Sequence, residues 1–417
     1  MILLLIIADD FTGALDTGVQ FAAHGIRTRV VVEPDVDFTI DAAQVLVVDT
    51  ETRHLPAAEA YQVVAGLTAR ARRAGVGYIY KKTDSALRGN IGAELAAILE
   101  AGGSRSLPFL PAFPQTGRIT RGGVHYIDGV PVTESPFGSD PFEPVKHAVI
   151  TDLIAEQCEL PAASFPALAA GDEVPADEGI LIFDAADADD LYDTGRRLLA
   201  RGRLKIMAGC AGFAAVLPDL LGIAAETPPP LPELDPRLLV ICGSVNPITL
   251  AQLDRAEAAG FTRLRLTPDQ KLKPGYWQSR EGQDDLIHME AMLAANPYCI
   301  IETNDLGGNR LTADYAARLG LDRERMRVRI AGSLGELTGA VFSSPSLGTL
   351  LLTGGDTLLQ CMNAIGVRML EPLCELEKGV VLASFTYHGQ TRHIITKSGG
   401  FGAEDLLSDL AARIARR

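Results

Sequence analysis

Two stretches of this chain put acids and cations immediately after short apolar runs. Asp9 and Asp10 follow the run 2–8. Lys82, Asp84, Ser85, Arg88 and Asn90 follow the run 77–81. Neighbouring carboxylates accept hydrogen bonds from hydroxyl groups, and one of them can take a proton as a general base. Asp10 and Asp84 are therefore the candidates for catalysis. Lys82, Ser85 and Arg88 are donors, and a planar guanidinium suits a carboxylate or phosphate held by two parallel bonds. Together these residue types fit recognition of a small, hydroxyl-rich acid. The plainer alternatives are that Asp10 only caps a helix and that the turn around Arg88 is only solvated.

A second group of residues fits phosphate chemistry. The run 347–352 is followed by Thr353, Gly354, Gly355, Asp356 and Thr357, and helical spacing resumes with Leu358, Leu359, Met362 and Ile365. A strand that ends in glycines and opens a helix offers bare N–H groups beside the positive end of a helix dipole, which is what a polyphosphate requires. Such turns also occur as simple connections. Two more glycine-bearing strand ends share this half of the chain: Gly243-Ser244 before Asn246-Pro247, and Lys397-Ser398-Gly399-Gly400. Three such turns brought together would cradle nucleotide phosphates. Gly-x-x-x-x-Gly-Lys and Gly-x-Gly-x-x-Gly are both absent, so neither a Walker loop nor a Rossmann dinucleotide site is expected. Loop residues Thr116, Gly117, Arg118, Ser139, Asp140, Pro141 and Phe142 carry turn chemistry and little more.

These residues must be positioned by an alternating α/β framework. Apolar runs at 2–8, 28–33, 45–49, 77–81, 106–110, 179–183 and 205–208 alternate with helical periodicity at 12–23, 57–73 and 186–200. This pattern predicts a mostly parallel sheet flanked by helices. Asp128-Gly129 between Val124-His125-Tyr126-Ile127 and Val130-Pro131-Val132 predicts a hairpin. Residues 226–236, with three consecutive prolines, read as a stiff connector between domains 1–225 and 237–417. The alternation then restarts with strands at 238–242, 262–266 and 298–302. Helices are expected at 248–259, at 332–342 and from about 403. A hairpin is expected around His388-Gly389. Residues 268–283 and 307–327 carry no readable periodicity. The expected architecture is α/β with two domains, each a mostly parallel sheet.

Composition narrows the function classes. The chain has 417 residues, 47% of them hydrophobic, and a net charge of −15. That charge argues against nucleic acid as a partner. No apolar run approaches a membrane span, so no membrane association is expected. The first residues lack a basic leader and meet Asp9-Asp10 at once. Six scattered cysteines form no Cys-x-x-Cys pair, as expected of free thiols in the cytoplasm.

The chain resembles the four-carbon acid sugar kinases, long catalogued as a domain of unknown function, over essentially its full length. The resemblance rests on Ala8-Asp9-Asp10-Phe11-Thr12-Gly13-Ala14 and on Lys82-Thr83-Asp84-Ser85-Ala86-Leu87-Arg88-Gly89-Asn90. It continues through Gly117-Arg118, Asp140-Pro141, Gly243-Ser244, Gly354-Gly355-Asp356-Thr357 and Lys397-Ser398-Gly399-Gly400-Phe401-Gly402. It implies an N-terminal sugar-acid-binding domain, a C-terminal nucleotide-binding domain, and ATP-dependent phosphorylation of the terminal hydroxyl of threonate, erythronate or a 3-oxo-tetronate. Asp9, Asp10, Arg53, Lys82, Asp84, Ser85 and Arg88 would hold the sugar acid, with Arg88 and Lys82 on its carboxylate. Arg53 is included by its loop position. Ser244, Thr353, Gly354, Gly355, Asp356, Thr357, Gly399 and Gly400 would hold ATP carried with Mg2+. A homo-oligomer is compatible with the resemblance. Ala86 stands where the family usually has Thr, and Asn246 where it usually has Ser. The rival readings are a sugar-acid lyase or aldolase using Lys82 as an amine nucleophile, and a non-catalytic sugar-acid sensor.

Overall fold

The computed structural model describes residues 2–38, 43–140, 143–225, 227 and 230–416. The chain divides into two compact units, 1–229 and 230–417. The division falls inside the proline-rich stretch, of which Glu226, Pro228 and Pro229 lie outside the described residues.

In the first unit, strand β1 (Leu4–Ala8) leads into helix α1 (Phe11–Ala22), followed by β2 (Thr28–Val31), β3 (Val45–Asp49), α2 (Ala57–Arg73) and β4 (Tyr78–Lys82). Then come α3 (Ile91–Gly102), β5 (Ser106–Leu110) and a small antiparallel sheet of β6 (Arg118–Arg121), β7 (Val124–Ile127) and β8 (Val130–Pro131). The unit ends with α4 (Ile150–Ala155), β9 (Ala162–Phe165), β10 (Gly179–Phe183), α5 (Ala188–Ala200), β11 (Ile206–Gly209), α6 (Ala211–Ala214) and α7 (Leu217–Leu220). The large sheet runs β2-β3-β1-β4-β11-β5-β10-β9 and is parallel throughout. Both faces are covered, so strands such as Leu4–Ala8 and Val45–Asp49 are buried at every residue and read as continuous apolar runs. After β1 the chain builds β2 and β3 on one side, then crosses to β4 on the other. The crevice at the carboxyl ends of β1 and β4 is thus the switch point where open α/β sheets bind ligands.

The second unit repeats the logic. It comprises β12 (Leu238–Cys242), α8 (Pro247–Ala258), β13 (Thr262–Arg265), α9 (Pro268–Leu272), α10 (Arg280–Ala295) and β14 (Tyr298–Glu302). There follow α11 (Arg310–Arg318), α12 (Arg323–Val341), β15 (Thr349–Thr353), α13 (Gly355–Ala364), β16 (Met369–Glu377), β17 (Val380–Tyr387), β18 (Gln390–Lys397) and α14 (Leu406–Ala415). Its strands run β13-β14-β12-β15-β18-β17-β16. The first five are parallel, whereas β17 is antiparallel to both β18 and β16. The hairpin around His388-Gly389 therefore forms, with both residues at positive φ.

Several elements lay outside the sequence reading. Strand β16 alternates between exposed and buried residues at its start, so no continuous apolar run marks it. Helix α12 begins at Arg323 rather than 332 because Asp322 caps it, accepting from Arg325 N at 2.8 Å, and its first two turns carry five arginine or glutamate residues. Helix α14 begins at Leu406 rather than 403, so Gly399-Gly400 lie in a loop and not at a helix start. Among the described residues no helix is long and apolar enough to cross a membrane.

Candidate active site

The parallel register brings the acids and cations of the first unit together. Ala8 pairs with Lys82 on one side and with Asp49 on the other, so the segments following β1, β3 and β4 emerge side by side. Asp10 caps α1, its Oδ1 accepting from Gly13 N at 3.2 Å. The capping alternative is therefore true, and it is compatible with more. Arg53 reaches in from the loop after β3. Its Nε donates to Asp9 Oδ2 and an Nη to Asp10 Oδ1, each at 2.7 Å, and it stands 3.8 Å from Asp84 Oδ1. Arg88 grips Asp84 through two bonds, Nε to Oδ2 at 2.8 Å and Nη2 to Oδ1 at 3.1 Å, and its Nη1 reaches Asp140 Oδ2 at 3.2 Å. Two Arg88 N–H groups, one on each terminal nitrogen, remain for a ligand.

The electrostatics follow from burial and pairing. Burial alone would raise the Asp84 carboxyl, but Arg88 and Arg53 outweigh it and hold the group well below the usual carboxylate range. Asp10 is likewise lowered, with Arg53 and Lys82 overcoming burial. Both acids are thus ionised, and Arg53 and Arg88 are held firmly charged by the same contacts. Lys82 differs. It is buried, yet its ammonium makes no ion pair or hydrogen bond among the described residues. A Cβ on Gly13 would lie 2.7 Å from Lys82 Nζ and would strike Asp10 Oδ1, so this glycine leaves room for both groups.

Further residues, among them Asn90 and Arg118, which the sequence named, and Lys81, Glu94 and His125, which it did not read as site residues, hold these groups in place. Directly beneath them, Lys81 Nζ pairs with Glu94 Oε2 at 2.9 Å and donates to Lys82 O at 2.7 Å, while Glu94 accepts from Thr52 Oγ1. Asn90 Nδ2 donates to Thr52 O and Leu55 O, each at 2.8 Å, fixing the loop that carries Arg53. From the small sheet, Arg118 donates to Ser85 Oγ, and His125 Nε2 donates to Ser85 O at 2.9 Å. Arg88 and Arg118 both lie over the Phe137 ring, 5.1 and 5.3 Å from its centre. Two non-glycine residues adopt left-handed backbone here, Glu51 and Leu87, one in each loop. Such strain persists only where the surrounding structure imposes it. Ala86, where the resemblance leads to the expectation of Thr, is fully buried in the hydrophobic core. Pro141 and Phe142 lie outside the described residues.

In the second unit the three small-residue turns converge, because β12, β15 and β18 are neighbours. A Cβ on Gly354 would lie 3.5 Å from Ser244 N, and one on Gly399 would lie 2.9 Å from Ser244 Oγ. One on Gly243 would strike Thr357 Oγ1. Gly354 has φ +106, a conformation open to glycine and hardly to any other residue. No side chain caps α13. Thr353 Oγ1 is buried with no hydrogen-bond partner among the described residues. Backbone bared by glycine, an uncapped helix start and an orphaned hydroxyl fit the phosphates of a nucleotide. The Gly399 turn is tied down by α8. Thr249 Oγ1 donates to Gly399 O at 2.7 Å, and Gln252 Nε2 donates to Phe401 O and Ala403 O at 3.0 and 2.9 Å. Asp356 pairs with Arg327 of α12, a cation from a stretch without readable periodicity. Asn246 caps α8, accepting from Ile248 N at 3.0 Å. Among the described residues no cluster of three or more His, Cys, Asp or Glu is placed to hold a metal ion.

Residues 4–217 match the family described as a sugar-binding N-terminal domain, and residues 239–407 the one described as a nucleotide-binding C-terminal domain. The chain is 30% identical to the D-threonate kinase of Salmonella typhimurium, with 97% of each chain covered. It is 28% identical to the D-erythronate kinase of Heliobacterium modesticaldum, covering 96% of this chain and 94% of that one. A solved structure from Salmonella typhimurium superposes with a TM-score of 0.76 at 18% identity over 98% of each chain, which establishes the shared fold.

Proposed function

Because the chain belongs to the four-carbon acid sugar kinase family, we propose that it transfers the γ-phosphoryl group of ATP to the terminal hydroxyl of a four-carbon sugar acid such as threonate or erythronate. The observation that carries this reading is the pairing of two unlike sites on one chain. The first unit holds a buried row of ionised acids and cations, and the second holds converging glycine turns around an orphaned threonine hydroxyl.

Phosphoryl transfer asks for positioning and charge stabilisation more than for covalent chemistry. In our reading the two remaining N–H groups of Arg88 take the substrate carboxylate, beside Ser85. Asp9 Oδ1, buried without a partner among the described residues, accepts from a substrate hydroxyl, as does Asp84. Asp10 is oriented by Thr12 Oγ1 at 2.7 Å and by Arg53, and takes the proton of the reacting hydroxyl. A carboxyl this acidic serves as acceptor when the proton leaves late, after the phosphorus–oxygen bond has largely formed. The Gly354–Thr357 turn, Ser244, Thr353 and Gly399-Gly400 would hold the nucleotide phosphates, whose charge a bound Mg2+ would help to neutralise.

The test is ADP release with MgATP against D- and L-threonate, D- and L-erythronate and 3-oxo-tetronates. Turnover with one acid and not its epimer is expected. If neither ATP nor any of these acids raises the melting temperature, the proposal is wrong.

A further inference from the structure

The charged groups of the first unit form an ordered row, and the row has two ends. Asp84 is shared between Arg53, 3.8 Å away, and Arg88, which grips it through two bonds. Arg53 in turn joins Asp9 and Asp10. The row therefore runs Arg88, Asp84, Arg53, Asp10, and Lys82 stands at the Asp10 end beside the first turn of α1. Its three cations are not equivalent, and Arg88 keeps a quarter of its side chain exposed where Arg53 and Lys82 are buried. Arg53 and Arg88 are each bonded to two carboxylates, whereas Lys82 is only 4% exposed and bonded to none among the described residues. Asp10 stands beside this ammonium without bonding to it and is itself held by Arg53, so Lys82 keeps all its N–H donors for a ligand.

We propose that Lys82 and the first turn of α1 seat the phosphoryl group in transfer, and that the substrate carboxylate lies at the other end of the row, on Arg88. This rests on the kinase reading above and assigns Lys82 a different partner from the carboxylate. The argument is one of position. The lone pair of the substrate hydroxyl oxygen forms the new bond to the γ-phosphorus. The bond from that phosphorus to the bridging oxygen breaks, with its electrons leaving on ADP, and the hydroxyl proton passes to Asp10. The group that deprotonates the hydroxyl and the group that steadies the phosphoryl oxygens must both border that one oxygen atom. Lys82 Nζ and Asp10 Oδ1 meet this condition, since both crowd the point where a Gly13 Cβ would stand. The carboxylate, at the far end of a four-carbon chain, cannot occupy the same place. The α1 dipole adds to the field there, because α1 runs for 12 residues and its first turn points at the same spot. A cation with no carboxylate of its own stabilises charge where it develops in the transition state.

Lys82→Met keeps the length and removes the charge. With the tetronate that the wild type turns over best, kcat should fall by roughly 100-fold or more, while KM for that acid stays within about threefold. Competitive inhibition by the phosphorylated product should weaken by roughly tenfold or more, a change that a merely structural role would not single out. Lys82→Gln, a second neutral side chain at the same position, should lower kcat with the same KM pattern, and it decides the matter if Lys82→Met fails to fold. A rise in KM for the acid with kcat retained at saturation would overturn the assignment and return Lys82 to the carboxylate. A wild type that turns over no tetronate would instead sink the kinase reading itself.

Discussion

Acidification should destabilise the first unit through one side chain, His125. The ring is fully buried. Its Nε2 faces the Ser85 carbonyl at 2.9 Å, which can only accept, so Nε2 carries the hydrogen, and Nδ1 accepts from Thr120 Oγ1 at 3.3 Å. Burial, helped by the nearby Arg118 guanidinium, pushes the imidazole down to about 4 against an ordinary 6.5. The sign follows directly. Below pH 6.5 the unfolded chain binds a proton that the folded ring refuses, so the contribution is intact above 6.5 and is lost as pH falls towards 4. At 1.36 kcal/mol per unit, His125 alone removes about 2 kcal/mol of stability between pH 7 and pH 5, and about 3 kcal/mol by pH 4. Other groups titrate in this range, so the quantity to measure is the difference between wild type and His125→Gln, which keeps a donor near the Nε2 position. Hydrogen exchange of the β1 and β4 amides under urea reports on the first unit. Trp277, the only tryptophan of the chain, sits in the second unit, where its fluorescence transition serves as an internal control. The wild type should lose about 2 kcal/mol more than the variant between pH 7 and pH 5 in the first unit, with no such difference at Trp277. Equal losses in both proteins, or a His125 resonance that titrates near 6.5, would refute the reasoning.

Three further outcomes follow from the same geometry. Arg88→Ala should raise KM for the sugar acid by roughly 10- to 100-fold, the cost of lost charged hydrogen bonds, and leave ATP affinity measured by calorimetry unchanged. A parallel fall in ATP affinity would contradict the division of labour between the units. Gly354→Ala should weaken ATP binding by roughly tenfold with little change in affinity for the acid, because φ +106 strains any side chain by about 1–3 kcal/mol. Gly355 is already helical, so Gly355→Ala should cost less in the same titration. Lys81→Met strands Glu94 in the interior and should lower the stability of the first unit by about 3–5 kcal/mol in urea, with Glu94→Gln in the same chain recovering part of it. A single variant as stable as the wild type would show that the pair is not needed for the fold.

The strand ends were legible because a doubly covered parallel strand is apolar throughout, so its first polar residues mark its carboxyl edge. Asp9, Asp10 and Lys82 stand out for that reason, as do Ser244 and Gly354 in the second unit. Strand order was not legible. Nothing local to residue 8 says that it will pair with both 49 and 82, and that pairing alone puts Arg53 between Asp9 and Asp10. Arg118 read as little more than a loop residue, and His125 as part of a hairpin, for a related reason. The sequence shows a hairpin with a clear Asp128-Gly129 turn, but the ring-to-carbonyl contact with residue 85 spans 40 positions. Arg327 was hidden inside a helix whose opening turns are charged on every side, where periodicity has nothing to register.

Composition also could not show how the charges are spent. Read as residue types, Lys82 and Arg88 are equal candidates for one carboxylate, with Arg53 added by its loop position. In the fold, Arg53 is committed to Asp9 and Asp10 and acts by holding them ionised and in place. Arg88 is committed to Asp84 and Asp140 but keeps two N–H donors. Lys82 stands beside Asp10 but bonds to no carboxylate among the described residues. A sugar acid undergoing phosphorylation brings two separate negative centres, a carboxylate at one end and a developing phosphate at the other. Two cations with residual capacity, placed at opposite ends of one row with the acids between them, meet that demand. Three interchangeable cations would not, because they would bind the substrate in either orientation and bring the wrong end to Asp10.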